Sequence, residues 1–188
     1  MVWMEGEAAA IARARAGDRD AFRELVERHS RAVFRLAYHM TGKEEDAEDV
    51  VQETFLNAWR WIGRFEARAG FGTWLHRIAV NCSMDALRRR QKHPGAAEGW
   101  ETALAEAASP EAGPDRLAMS AEASGRVSAA LGELSPFERA AFVLRHYEGL
   151  RIEEIAARMG RGVEGTKQAV FRAVQKLRRT LGVYAASR

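Results

Sequence analysis

Between Asp46 and Trp59 the stretch DAEDVVQETFLNAW sorts its residues by helical period. Ala47, Val51, Phe55, Ala58 and Trp59 recur at three- and four-residue steps, which places them on one face of an α-helix. Asp46, Asp49, Gln52, Glu53 and Asn57 fall on the other side. In a basic chain, so dense a row of acids and amides is more than a helix needs for packing alone.

Two further patterns carry chemistry. Arg77, Asn81 and Arg88 share one stripe of a helix ending in RRRQK, and Phe65, Phe71 and Trp74 lie in or beside the glycine-containing loop before it. Basic groups can track a phosphate backbone while rings stack on unpaired bases, although rings beside a loop are more often core. Near the C-terminus, RIEEIAARM is followed by Gly160, Arg161 and Gly162 and then by a helix over about Val163 to Leu181. A helix pair joined by a tight glycine turn is the form of a helix-turn-helix. In its second helix Thr166, Val170, Ala173 and Leu177 point inward, leaving Lys167, Gln168, Phe171, Arg172 and Gln175 outside. Arg and Lys can bond guanine edges or phosphate, Gln can pair with adenine and an aromatic edge can meet thymine methyls, so that face is equipped for a major groove. An ordinary helical hairpin with a basic side is the bland reading.

The elements that position these residues are helical. Apolar spacing of three and four recurs along the 188 residues, and no alternating strand pattern appears. The fold class is all-α: two small helical domains on a flexible linker. A first long helix starts near Asp18 or Asp20, carries Phe22, Leu25, Val26, His29, Val33, Leu36, Ala37 and Met40 along one side, and ends at Gly42. His29, on that stripe, reads as a satisfied core histidine. Glu44, Glu45 and Asp46 open the next helix, where negative charge suits the dipole. Thr73 reads as the N-cap of the third. Ser135 followed by Pro136 opens the terminal block, and Gly149 breaks its helix.

From 93 to 126 the texture changes to proline, alanine and glycine with little apolar period, a tether between a first domain over 1–92 and a second over 127–188. The tether is net acidic and both flanks are net basic. Overall net charge is +3 and the pI about 9.3, which permits a polyanionic partner without requiring one. The single cysteine, Cys82, cannot form an internal disulfide, and there is no apolar run suited to a membrane span or a secretory leader, so a reduced cytoplasmic setting is expected. Cys82 itself reads as a small core residue. The acids between Glu44 and Glu53 with His29, His39 or His76 could suggest a metal-dependent hydrolase, but the histidines lack ligand-pair spacing and no phosphate loop or nucleophile dyad accompanies them. No metal, cofactor or catalysis is expected.

Taken in order, GDRDAFRELVERH, DAEDVVQETFLNAW, FGTWLHRIAVNCSMDALRRR, the tether, LSPFERAAFVLRHYEGL, EEIAARMG and KQAVFRAVQKLR resemble a bacterial RNA polymerase sigma factor of the extracytoplasmic-function group, a compact form of the sigma-70 superfamily. The resemblance implies region 2 in the first block and region 4 in the last. It implies that Asp46, Asp49, Gln52, Glu53 and Asn57 dock on the coiled coil of the polymerase β′ clamp, with the β flap as a further contact. The loop from Phe65 to Phe71, including Arg68, would capture an unstacked base of the −10 element, with Trp74 supporting it and Arg77, Asn81 and Arg88 contacting DNA. Duplex −35 readers would be Arg145, Arg151, Lys167, Gln168, Phe171 and Arg172. Many relatives carry Ser or Thr where Arg151 stands, and Gly-Thr-Val-Lys where this chain has Glu164, Gly165, Thr166 and Lys167. The acidic tether would run through basic channels of the polymerase, and an anti-sigma factor is a candidate partner. The competing reading is a stand-alone helix-turn-helix regulator, which would bind duplex tightly without polymerase.

Overall fold

Asp18 starts the helix around which the first block is built. Its carboxylate accepts from the backbone N–H groups of Asp20 and Ala21 at 2.9 and 3.0 Å, satisfying two donors that the helix leaves unpaired, a cap worth ~1 kcal/mol. The computed structural model describes residues 2–66, 70–92 and 130–185, and among them every regular element is helical. The elements are α1 (Val2–Arg15), α2 (Arg19–Thr41), α3 (Glu44–Trp61), a 3-10 turn (Ile62–Arg64), α4 (Phe71–Lys92), α5 (Pro136–His146), α6 (Ile152–Met159) and α7 (Val163–Ala185). The tether 93–126 and Arg68 lie outside the described residues.

Gly42 closes α2 in the left-handed conformation, φ 75°, and its N–H donates to the Tyr38 carbonyl at 2.7 Å. A residue with a Cβ would be strained there. This sharp stop lets α3 fold back along α2. The apolar stripes then meet: Leu25, Leu36 and Met40 of α2 pack with Ala47, Val50 and Phe55 of α3 and with Leu75, Ile78 and Val80 of α4.

One expectation about the first block changes, and one helix joins it that the sequence reading left out. Helix α1 covers residues whose sequence showed no clear pattern; Ala10 and Ala14 are buried, and Glu7 bonds the His29 ring at 2.6 Å. Glu7 is thus the partner that satisfies the core histidine. Thr73 is not the N-cap of α4, because the helix already begins at Phe71 and the Thr73 N–H is bonded to the Gly70 carbonyl at 3.0 Å.

In the second block Ser135 and Glu138 cap each other's ends of the first turn. The Glu138 N–H donates to Ser135 Oγ at 3.2 Å, and the Ser135 N–H donates to the Glu138 carboxylate at 3.0 Å, with Pro136 occupying the position that has no amide partner to lose. Gly149 (φ 67°) turns the chain after α5, and Gly160 (φ 61°) ends α6 in the left-handed region. Ala173 and Leu177 of α7 pack under Leu131 and Leu134, while Thr166 is fully buried and donates to the Gly162 carbonyl at 3.0 Å. The second block rests on the first: α5 touches α2 and α4, and α6 touches α4.

Candidate nucleic-acid interface

The outer face of α7 is the most open of the candidate surfaces. Lys167, Gln168, Phe171, Arg172 and Gln175 are all exposed, and Phe171 has 64% of its surface free. A phenyl ring this exposed between basic and amide side chains gains little from the fold and offers most of its surface to solvent. Two basic neighbours are partly committed already. Arg172 donates from Nε to Glu138 Oε1 at 3.0 Å, and Lys176 donates to Glu138 Oε2 at 2.7 Å. Burial would raise the Glu138 carboxyl, but Lys176, the Ser135 N–H and Arg172 outweigh it and hold the carboxyl at about 2. Lys167 has only a loose pair, 3.7 Å from Glu164.

Of the other two −35 candidates, Arg145 donates to the Leu150 carbonyl at 2.9 Å and so braces the turn into α6. Arg151 stands at the N-cap of α6, where a serine or threonine could have accepted from the first turn. An arginine cannot accept. Half of the box survives through Glu154, whose carboxylate takes the Arg151 N–H at 2.8 Å, and this contact holds Glu154 below its usual range. The guanidinium itself is left largely in solvent.

On α4, Arg77, Asn81 and Arg88 are exposed along one stripe, with Arg88 2.7 Å from Asp85. The aromatic residues of the preceding loop behave differently from a stacking platform. Phe65 and Phe71 are buried and meet edge to face with ring centroids 5.7 Å apart, and half-buried Trp74 lies 5.2 and 5.5 Å from them. Their rings are core in this conformation, because the loop's two ends close on each other and edge-to-face packing of that area outweighs exposure. They pin the ends of the loop and do not offer a face to a base.

The polar face of α3 is also divided. Asp46 lies 3.4 Å from Arg90 and Glu53 3.1 Å from Arg89, both on α4, and Asn57 donates toward Cys82 Sγ at 3.5 Å. Burial raises the Cys82 thiol, consistent with a packing role. Asp49 and Gln52 stay exposed. Gln52 also sits on the rim of an apolar groove of about 460 Å³ lined by Phe22, Val26 and Phe34 of α2 and Val51, Phe55 and Leu56 of α3. Leu56 is 52% exposed at its edge. Sequence reading missed Leu56: it falls between the apolar stripe and the polar face, and only the groove shows that an apolar side chain there is open to a partner.

Two family models match this chain, Sigma-70 region 2 over residues 25–93 and Sigma-70 region 4 over residues 124–177. Among curated proteins it is 39% identical to the ECF RNA polymerase sigma factor SigM of Mycobacterium tuberculosis over 89% of this chain and 80% of that one. It is 31% identical to the RNA polymerase sigma-H factor of Pseudomonas aeruginosa over 96% of both. Against SigE of Mycolicibacterium smegmatis, 36% identical, it covers 87% of its own length and 62% of the relative's. Solved structures similar to it include CnrH in complex with the cytosolic domain of CnrY (29% identity, TM-score 0.63, 95% of this chain and 98% of that one). Another is RpoE in complex with the anti-sigma factor NepR from Bartonella quintana (26% identity, TM-score 0.60, 86% and 97%).

The chain belongs to the ECF group of sigma-70 factors. Its function is that of the class, promoter-specific initiation of transcription, and the stand-alone regulator is not favoured. Sigma factors as a class act as initiation factors and not as enzymes, and bind RNA polymerase and promoter DNA. Among the described residues no helix is long and apolar enough to cross a membrane.

Proposed function

We propose that this protein divides promoter recognition between two surfaces, with residues 1–92 engaging core polymerase and the −10 element, 127–188 engaging the −35 duplex, and 93–126 joining them. The carrying observation is the face of α7, where Phe171 stands exposed beside Lys167 and Gln168. With α6 packed against it, α7 has the form of a recognition helix lying in a major groove, its outward residues reaching base edges. Arg172, held by Glu138, is better placed for a phosphate than for a base, since the pair fixes the guanidinium beside the helix start of α5.

On the first block, Asp49, Gln52 and the apolar edge at Leu56 form the part of α3 most open to the β′ clamp coiled coil; Asp46, Glu53 and Asn57 flank it and exchange α4 partners for polymerase ones. The β flap takes the second block. The loop between Phe65 and Phe71 captures the −10 base, with backbone and Arg68 supplying contacts, while buried Phe65 and Phe71 keep its ends in place. Extracting a base costs a few kcal/mol, returned by contacts to the flipped base and to the open strand. Arg77, Asn81 and Arg88 follow the adjoining backbone. No catalysis by the chain itself is involved, and it acts in the cytoplasm.

The solved structure of the sigma factor RpoE holds the anti-sigma factor NepR, and that of CnrH holds the cytosolic domain of CnrY, which supports an anti-sigma factor as a regulator of this chain. The central experiment is transcription in vitro with purified core polymerase and a library of upstream sequences. Initiation at a defined promoter class only when the chain is added is the expected result. Tight binding of the pure chain to duplex with no effect on initiation would end the reading.

A further inference from the structure

Helices α5, α6 and α7 each open with acid in the first turn, and the fold uses it in two different ways. On α5 and α6 the acid stands three residues past the cap, and its carboxylate turns back to the backbone N–H of the cap residue. Glu138 takes that of Ser135 at 3.0 Å and Glu154 that of Arg151 at 2.8 Å. On α7 the same position, counted from Gly162 before the helix, is Gly165, and the acid is Glu164, one residue early. Its carboxylate therefore has no reciprocal cap to make. It lies 3.7 Å from Lys167 Nζ, too far for a hydrogen bond, with 74% of its side chain exposed.

Glu164, Lys167, Gln168 and Phe171 are spaced i, i+3, i+4 and i+7, and all four are exposed, so Glu164 extends the open face of α7 by one turn toward its N-terminus. In a helix lying in the major groove, the N-terminal residues meet base edges. Gly162 and Gly165 beside it face open space and carry no side chain, which lets this first turn come close. A carboxylate brought to a polyanion is repelled and loses its water unless a donor meets it. In the major groove only cytosine N4 and adenine N6 donate. Adenine N6 lies between its own N7 and the thymine O4, two acceptors that repel the second carboxylate oxygen. Cytosine N4 has acceptors on one side alone, guanine O6 and N7, and those are what an ammonium binds. N4 and O6 are hydrogen-bonded to each other within the pair and so lie about 3 Å apart. The Glu164 carboxylate and Lys167 Nζ have nearly that spacing.

Resting on the promoter reading above, we propose that Glu164 and Lys167 together read one C·G pair of the −35 element, and that Glu164 sets the base preference there. The carboxylate accepts from cytosine N4 while the ammonium donates to guanine O6 or N7. Lys167 also offsets the charge of Glu164 as the helix approaches the phosphates, and the loose pair has no hydrogen bond of its own to give up.

Initiation in vitro by core polymerase with the full chain, on a library randomised through the −35 element, tests this. Wild type is expected to favour C·G over every other pair about tenfold at one position. Glu164→Ala is expected to bring that preference to within about twofold, while preferences at the other −35 positions persist and so report that the second block is folded. Glu164→Gln is the sharper variant. A glutamine amide both accepts and donates, which fits adenine N6 and N7, so the preference at that position should move from cytosine to adenine on the same strand. A wild type without a C·G preference, a Glu164→Ala profile identical to wild type, a loss spread evenly over all positions, or a Glu164→Gln protein that still prefers cytosine each overturns the assignment. If wild type starts RNA at no sequence, the promoter reading itself falls. Initiation whose base preferences ignore residue 164 removes the Glu164 assignment alone.

Discussion

The polar faces of α3 and α7 both mix charged and amide side chains, acidic on α3 and basic on α7, and the fold treats them differently. On α3 the acids at 46 and 53 lean onto Arg90 and Arg89 of the neighbouring helix, leaving Asp49, Gln52 and an apolar edge for a partner. On α7 one buried carboxylate, Glu138, gathers Arg172 and Lys176 from below while Lys167, Gln168 and Phe171 project above. The difference lies in solvation. Exposed pairs such as Glu53 with Arg89 are worth ~0–1 kcal/mol and exchange readily for a new partner. A nearly buried acid with a lysine, an arginine and a backbone donor is part of the block's stability. Docking can rearrange the first face, whereas the second is presented ready-made.

The largest expected effect therefore comes from Glu138. Its carboxyl is held at about 2 against an ordinary 4.5, a depression that corresponds to ~3 kcal/mol of folding stability. Glu138→Ala also removes half of the capping box on Ser135. The second block is expected to lose ~3 kcal/mol, seen as a lower melting temperature for that transition, with −35 binding lost and core-polymerase binding retained. The sign with pH follows from the depressed value: the contribution is complete above the unfolded pKa near 4.5 and disappears as pH falls toward about 2. Wild-type stability should drop through that window and Glu138→Ala should not show this component. Equal acid sensitivity in both would remove Glu138 from its assigned place.

Much of this could be read from the sequence, and the failures share a cause. Asp18, Gly42, Ser135 with Pro136, and Gly160 act through their own backbone neighbours, so local chemistry was enough to locate the helix ends. The face of α7 was legible because 3.6-residue periodicity survives wherever one side is core and the other is water. Phe65 and Phe71 were legible as core, the commoner place for a ring beside a loop, and they are buried; what no spacing rule gave was which residues close over them. Helix α1 was hidden because alanines carry its buried face and its partner for His29, Glu7, is 22 residues away. The division of α3 needed Arg89 and Arg90, whose reach across to α3 no spacing rule encodes.

Asp49→Lys and Phe171→Ala test the two faces where each is most exposed. Asp49 is exposed on α3, so reversing its charge should leave the melting temperature within about 2 °C while core-polymerase affinity falls roughly tenfold or more, an effect of ~1.4 kcal/mol measured by competition against wild type. Loss confined to DNA binding would show that this face is not the docking surface. Phe171→Ala should cost ~1 kcal/mol at −35 positions where a thymine methyl meets the ring and nothing at others, read from initiation across the promoter library. A uniform loss at all sequences would assign the ring to packing on backbone and not to base recognition.

The smallest effect is the most informative about how the first face works. Arg89→Ala removes the 3.1 Å partner of Glu53, a pair whose arginine is 62% exposed, so folding stability should change by no more than ~0.5 kcal/mol. Glu53 is then free of an internal competitor. If α3 docks by exchanging α4 arginines for polymerase cations, core affinity should rise about two- to threefold at low salt, and the gain should shrink as ionic strength approaches the physiological range, where charges more than ~8 Å apart are screened. An affinity that falls instead would mean that Arg89 is itself a contact, and the exchange would give way to a face whose arginines and acids dock together.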